Sequence, residues 1–381
     1  MKIKIPDYVN TVLQTLTEAG FEGFVVGGCV RDLLMGKTPA DWDVCTSAEP
    51  EQVKALFCGC QTIDIGMRHG TVAVLIGGRP LEITTYRIDG LYLDHRRPEK
   101  VAFTESLTED LARRDFTMNA MAYHPEVGLR DPFDGQRAIA DRMIRCVGEP
   151  VRRFEEDSLR ILRGLRFAAV LGFQIEEGSA AAMRQCAGLI EKVSAERINA
   201  ELSKLVMGSS ADKILLAFED VLKKAVPSLQ AVSVGHAPNL LPVRLGLLFP
   251  HGTEAALRQL IYDRCTIKTA AALARLFEAA EPQGSVEVKK LLSREGEEVA
   301  SMYFEALGRR EELEALLQSG QCFTIRQLAV GGRDLIDAGI PPGRQIGENL
   351  DRLLQLVMEG KIENERDQLL RGLTCRGWRS S

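Results

Sequence analysis

The sequence predicts two architectures in series: an α/β head over residues 1–150 and an all-helical remainder from 151 to 381. Two observations carry this. Before residue 150, short β-rich runs alternate with helical stretches; after it, strand-like runs nearly vanish and apolar residues recur at helical spacing. A third is length, because 381 residues are long for one hydrophobic core and comfortable for two to four domains.

In chain order, residues 6–20 read as an opening helix, with Pro6 at its start and Gly20 at its end. Strands are predicted at 24–26, 42–45, 71–76 and 81–86, with helical segments between the first two. Thr46 or Ser47 is placed to cap a helix over 50–57. The stretch 88–106 mixes charges, Gly and Pro with little periodicity and reads as a long loop. Beyond 151, helical spacing is interrupted near Gly208, Pro227, Pro238 to Pro250, Pro282 and Pro341.

Composition narrows the function. The chain is 45% apolar and 27% charged with a net charge of −5, so a protein that coats nucleic acid with its whole surface is excluded; any nucleic-acid contact must be focal. Nine scattered cysteines, of which Cys58 and Cys60 alone lie close together, form no C-x-x-C pair and read as reduced thiols in a cytoplasmic protein. None of the five histidines precedes an Asp, which removes the His-Asp phosphohydrolase signature. The first ten residues lack a signal-peptide core, and no run of 18 apolar residues suggests a membrane span.

Chemistry concentrates in "FVVGGCVRDLLMGKTPADWDV", residues 24–44. Gly27 and Gly28 end a strand and open a helix, where amides approach an anion unobstructed, and Arg31 lies one turn on. "MGKTP" is no P-loop, because Arg31 stands where that loop needs Gly and the Lys-Thr follows a helix. Asp41 and Asp43, at i and i+2 of a strand, would share one face, and two adjacent carboxylates call for a cation such as Mg2+. Glu82, in "RPLEITTYR", points away from Leu81 and Ile83 and is either a third ligand or a solvent-facing acid.

Over about 180 residues these pieces, with "RRDFTMNAMAY", "DPFDG", "EEDSLRILRGLRFAA" and "ERINAELSKL" in that order, form a pattern. It resembles the class II branch of the polymerase-β-type nucleotidyltransferases, which holds tRNA CCA-adding enzymes and bacterial poly(A) polymerases. The resemblance implies a nucleotidyltransferase head over 1–150, a helical neck with the nucleotide template over 151–210, a body over 211–300 and a tRNA-binding tail over 301–381. The stretch from Gly339, "GIPPGRQIGENLDRLLQLVMEGKIENERDQLL", is similar to the tail of Firmicute-type CCA-adding enzymes. It also implies Asp41, Asp43 and Glu82 as the catalytic acids, with Asp41 and Asp43 on Mg2+. Arg114, Asp115 and Asn119 fall at the ribose-reading motif, Asp157 and Arg160 at the template pair, and Arg163 and Arg166 toward triphosphate or primer. The implied partners are the tRNA acceptor end, CTP and ATP, no membrane, and a homodimer as an option.

The template residues also read physically. On one continuous helix, Glu156, Asp157, Arg160, Arg163 and Arg166 would share the polar half opposite Phe154, Ile161, Leu162, Leu165 and Ala169. Gly164 in that half costs about 1 kcal/mol unless something approaches closely. The plain alternative is a solvated face with a Glu156–Arg160 pair worth ~0.3 kcal/mol. Asp157 accepts and Arg160 donates, a pattern matched by the amino group and ring nitrogen of cytosine and adenine and mismatched by uracil and guanine.

The segment "YLDHRRPEKVAF" resembles the flexible-loop motif of members that add A, which disfavours a CC-only enzyme. The alternatives are A-only addition, a poly(A) polymerase, or, from another class, an inactive RNA-binding module; intact Asp41 and Asp43 speak against the last.

Overall fold

The computed structural model describes residues 4–89 and 101–374, which divide into two compact units, one ending at Ala231 and the other starting at Val232. The first unit opens with α1 (Asp7–Glu18), β1 (Gly23–Val26), α2 (Gly28–Leu34), β2 (Asp43–Thr46), α3 (Pro50–Leu56), β3 (Thr62–Gly66), β4 (Thr71–Ile76) and β5 (Arg79–Thr85). It continues with β6 (Arg87–Asp89), β7 (Val101–Phe103), α4 (Leu107–Ala112), β8 (Ala122–His124), β9 (Gly128–Arg130), α5 (Gly135–Ala140) and β10 (Met143–Ile144). Helices α6 (Pro150–Glu156) and α7 (Leu159–Leu171), strand β11 (Gln174–Ile175), and helices α8 (Glu177–Gln185), α9 (Ala195–Val206), α10 (Ala211–Ala217) and α11 (Glu219–Ala225) complete it.

Seven strands form one mixed sheet in the order β3-β4-β5-β2-β1-β8-β9, with β2 and β5 parallel and the other pairs antiparallel. Both faces of its centre are covered. Val25, Val44, Leu81 and Ile83 pack beneath Val9, Val12, Leu13 and Leu16 of α1, while Phe24, Val26 and Cys45 join Leu111, Ala120 and Val147. Side chains alternate along a strand, so with Val44 under α1, Asp43 is sent to the Cys45 face, where the core ends. β6 and β7 pair antiparallel, so the expected loop is a two-stranded ribbon at its ends; most of the flexible-loop motif, residues 92–100, lies outside the described residues.

Three local expectations are corrected. The cap of α3 is neither Thr46 nor Ser47 but Glu49, in a capping box with Gln52, because Thr46 and Ser47 bond the backbone of Glu22 instead. Asp41 lies in a bend before β2, not in the strand. The single template helix is two helices, α6 and α7, meeting at an extended Asp157 (φ −139°, ψ 100°). Asp-Ser before an apolar run is a cap sequence: Asp157 Oδ1 accepts the Leu159 N–H at 3.1 Å and Ser158 Oγ donates to Leu189 O.

The second unit holds α12 (Leu241–Leu248), α13 (Thr253–Gln259), α14 (Arg264–Glu278), α15 (Gly284–Glu295), α16 (Glu297–Ala306) and α17 (Arg310–Gln318), then α18 (Gly332–Asp337), α19 (Arg344–Met358) and α20 (Arg366–Thr374). It has no strand among the described residues, and its apolar clusters centre on Leu273, Tyr303 and Phe304 and on Leu335, Leu353 and Leu354. No helix among the described residues is long and apolar enough to cross a membrane.

Candidate active site

A cleft of about 640 Å³ in the first unit is lined by Gly28, Arg31, Asp41, Asp43, Arg114, Asp115, Asn119, Asp157, Arg160, Arg163 and Arg166. Of the catalytic and nucleotide-binding residues expected from the sequence, Glu82 is the one absent from that lining, yet it is the register partner of Asp43 across the parallel β2–β5 pair. A larger hollow of about 880 Å³, beside Phe24 and His124, gathers none of them.

The acid wall is built by the end of β2. The Asp43 carboxyl is pushed above the usual carboxylate range, first by desolvation, then by the charges of Glu82 and Asp41, against a lowering pull from Arg114. A carboxyl raised by neighbouring acid charges in this way fits a divalent cation. Among the described residues no three His, Cys, Asp or Glu side chains converge on one metal position. The cradle beside them starts at Gly27, which caps α2 at φ 81°. A Cβ there would also stand 3.0 Å from Arg114 Nη1.

The opposite wall is a chain of paired charges. Arg31 grips Asp32 through Nε and Nη2 (2.9 and 2.7 Å) and donates from Nη1 to Asn119 Oδ1 at 2.8 Å. Asn119, on a 3₁₀ turn at Thr117–Asn119, donates to Asp115 at 3.2 Å. Asp115 takes Nε and Nη2 of Arg163 at 2.8 and 2.7 Å. Burial alone would raise the Asp115 carboxyl, but Arg163 above all holds it down to about 2. Arg166 donates to Glu201 of α9 at 2.5 Å, and Arg31, Arg163 and Arg166 all lie over the Phe167 ring, Arg166 nearest at 3.8 Å.

At the template position, Arg160 is held by Glu156 Oε2 (3.0 Å) and Arg153 O (3.2 Å) through Nη1, and by Arg113 O (2.8 Å) through Nη2. The Glu156–Arg160 pair expected of a plain solvated face is therefore present, with Arg160 buried. A guanidinium has five N–H groups, so Nε–H and one Nη2 hydrogen stay available. Asp157 Oδ2 accepts from Arg197 at 2.8 Å, and each of its oxygens keeps a lone pair. Gly164 faces no ligand: a Cβ there would meet Met183 at 2.4 Å and Phe116 at 2.9 Å.

Sequence reasoning missed Arg197, Glu201, Arg113 and Phe167. Arg197 and Glu201 stand four apart in "ERINAELSKL", and that spacing on one face of α9 was the available signal.

Comparison with known proteins bears on family and fold. The pattern of the poly A polymerase head domain matches residues 23–145, that of a probable RNA- and SrmB-binding site of polymerase A matches 172–231, and that of tRNA nucleotidyltransferase domain 2 matches 245–373. The CCA-adding enzyme of Limosilactobacillus fermentum is 36% identical, covering 94% of each chain, and that of Geobacillus kaustophilus 37%, again covering 94% of each. The chain belongs to the CCA-adding enzyme family. The crystal structure of the Bacillus stearothermophilus CCA-adding enzyme in complex with CTP superposes with a TM-score of 0.81 at 31% identity, over 97% of this chain and 98% of that one. The family's α/β head followed by helices is the fold expected from the sequence, and the first unit extends to Ala231, past the expected neck boundary at 210, because α10 and α11 pack on α7, α8 and α9.

Proposed function

We propose that this chain adds C, C and A to the 3′ end of tRNA from CTP and ATP, releasing pyrophosphate, with protein side chains in place of a template strand. The observation that carries this is the unused hydrogen-bonding capacity of Asp157 and Arg160 in the cleft that also holds Asp41 and Asp43. Acceptors on Asp157 and donors on Arg160 match the edges of cytosine and adenine. Uracil or guanine would bring carbonyl against carboxylate and N–H against guanidinium, leaving buried polar groups unpaired.

The roles divide along the two walls. Arg31 and the first-turn amides of α2, which have no intrahelical acceptor, meet the triphosphate, with Arg163 and Arg166 beside it. Asp115 and Asn119 take the ribose hydroxyls, and Arg114 orders the acid wall through its charge next to Asp43. Asp41 and Asp43, with Glu82 across the strand pair, would hold Mg2+. When bound there, Mg2+ supplies Lewis-acid activation of the RNA 3′-hydroxyl and charge compensation on pyrophosphate.

Sequencing the 3′ ends made from tRNA lacking CCA, tRNA ending in CC and an unrelated RNA tests the reading. CCA on the first and A on the second are expected. Extension of the second alone indicates an A-only enzyme, and runs of A on the third a poly(A) polymerase. Arg160→Ala should blur base choice among the four triphosphates more than it slows incorporation of CTP.

A further inference from the structure

Behind the cleft, outside its lining, Asp110 in the last turn of α4 is wholly buried. Its Oδ1 accepts Nε and Nη2 of Arg113 (3.0 and 2.6 Å) and the backbone N–H of Arg87 at the root of β6 (3.3 Å), while Oδ2 accepts Nη2 of Arg114 at 3.3 Å. Burying a carboxylate costs several kcal/mol unless it is fully paired, and this one is matched by two arginines and an amide.

The carbonyl of Arg113 is one of the three groups that hold Arg160. Arg113 is also the C-cap of α4, with its side chain folded back onto Asp110. The carboxylate that grips the guanidinium therefore also fixes the direction of that carbonyl. The other two holds on Arg160 come from Arg153 and Glu156 on α6. Arg113 thus supplies the hold from outside the template helices.

We propose that Asp110 is a positioning residue for base choice, acting on Arg160 through the backbone of Arg113. The proposal rests on the reading that Arg160 recognises the incoming base. Loss of the carboxylate removes the two-pronged grip on the Arg113 guanidinium and loosens the last turn of α4. Arg160 is then left to its α6 partners and its two available N–H groups lose their fixed aim. Arg114 and the acid wall are disturbed as well, but their proposed part, ordering the metal site, is common to all four triphosphates, so that disturbance lowers every rate alike. The ratio of kcat/KM for CTP to that for UTP isolates the effect on Arg160.

The experiment uses the full chain with tRNA lacking CCA, and compares Asp110→Asn, Arg113→Lys and Arg160→Ala with the parent. Arg113→Lys keeps the charge and the carbonyl but loses the two-pronged grip, and it carries the test if Asp110→Asn does not fold. The CTP:UTP ratio is expected to fall about tenfold or more in Asp110→Asn and in Arg113→Lys, in the direction of Arg160→Ala, as for a recognition hydrogen bond losing its aim. A folded Asp110→Asn or Arg113→Lys with reduced rates but the parental ratio, alongside a relaxed Arg160→Ala, overturns the role of Asp110 while leaving base reading intact. A parental ratio in Arg160→Ala overturns the base-reading premise itself, and the proposal with it.

Discussion

The two walls of the cleft treat negative charge in opposite ways. On the β2 side, Asp41, Asp43 and Glu82 crowd one another and the Asp43 carboxyl is pushed up; on the α7 side, Asp115 is held down to about 2 by Arg163. One wall is ordered in advance by its own arginines. The other is left electrostatically unfinished, as the proposed Mg2+ site would be without its ion. The paired wall holds its side chains in place through one another, whereas the acid wall is left with charges of one sign.

The largest expected effect comes from the unfinished wall. Asp43→Ala should lower nucleotide incorporation by about a thousandfold or more, the scale of losing a metal-borne charge in phosphoryl transfer. CTP binding, measured by equilibrium titration, should stay within a few-fold of the parent, because Arg31, Arg163 and Arg166 are untouched. Parental incorporation would mean that the acids are a wet strand end and that the contrast has no catalytic content.

The paired wall gives the next effect. Arg163→Met leaves Asp115, 8% exposed, without its principal counter-charge. Breaking a buried pair from one side costs about 3 kcal/mol or more in urea unfolding. Removing both partners, as Arg163→Met with Asp115→Leu, should recover part of that loss. A single variant as stable as the parent would show that this wall is not ordered in advance.

How much of this could be read in the chain follows from the range of the interaction. The glycine pair, the order of head and helices, and the identities of the cleft residues rest on local pattern and motif, and the cleft gathers them. The placement of Glu82 beside Asp43 was not legible, because it depends on β2 lying parallel beside β5, a pairing of strands distant in sequence. The break at Asp157 was legible in principle, but a helical wheel drawn through it overrode the cap signal of Asp-Ser. Arg113 and Asp110 were missed for another reason: their work is done by a backbone carbonyl and a buried carboxylate, and no periodicity marks either.

Gly27→Ala strains the turn from β1 into α2. At φ 81°, ψ −128° an L side chain costs about 1–3 kcal/mol, and the new Cβ would press on Arg114 Nη1. A stability loss of that size is expected in urea, with incorporation reduced more than the stability loss explains. A fully active variant would show that the approach of Arg114 to the acid wall is adjustable.

The smallest effect has the opposite sign. A carboxyl whose native pKa is raised binds its proton more tightly folded than unfolded, so the charged form of Asp43 destabilises the metal-free fold at neutral pH. Stability from this group rises as pH falls through the raised native value toward the unfolded one. Asp43→Asn should therefore melt slightly higher than the parent at pH 7 without metal, and the gain should vanish at low pH, where the parent is itself protonated. Mg2+ at saturating concentration should raise the melting temperature of the parent and not of the variant, because only the parent keeps the charge that the ion completes. If Asp43→Asn melts lower than the parent at neutral pH, Asp43 is a stabilising partner like Asp115, and the two walls are alike after all.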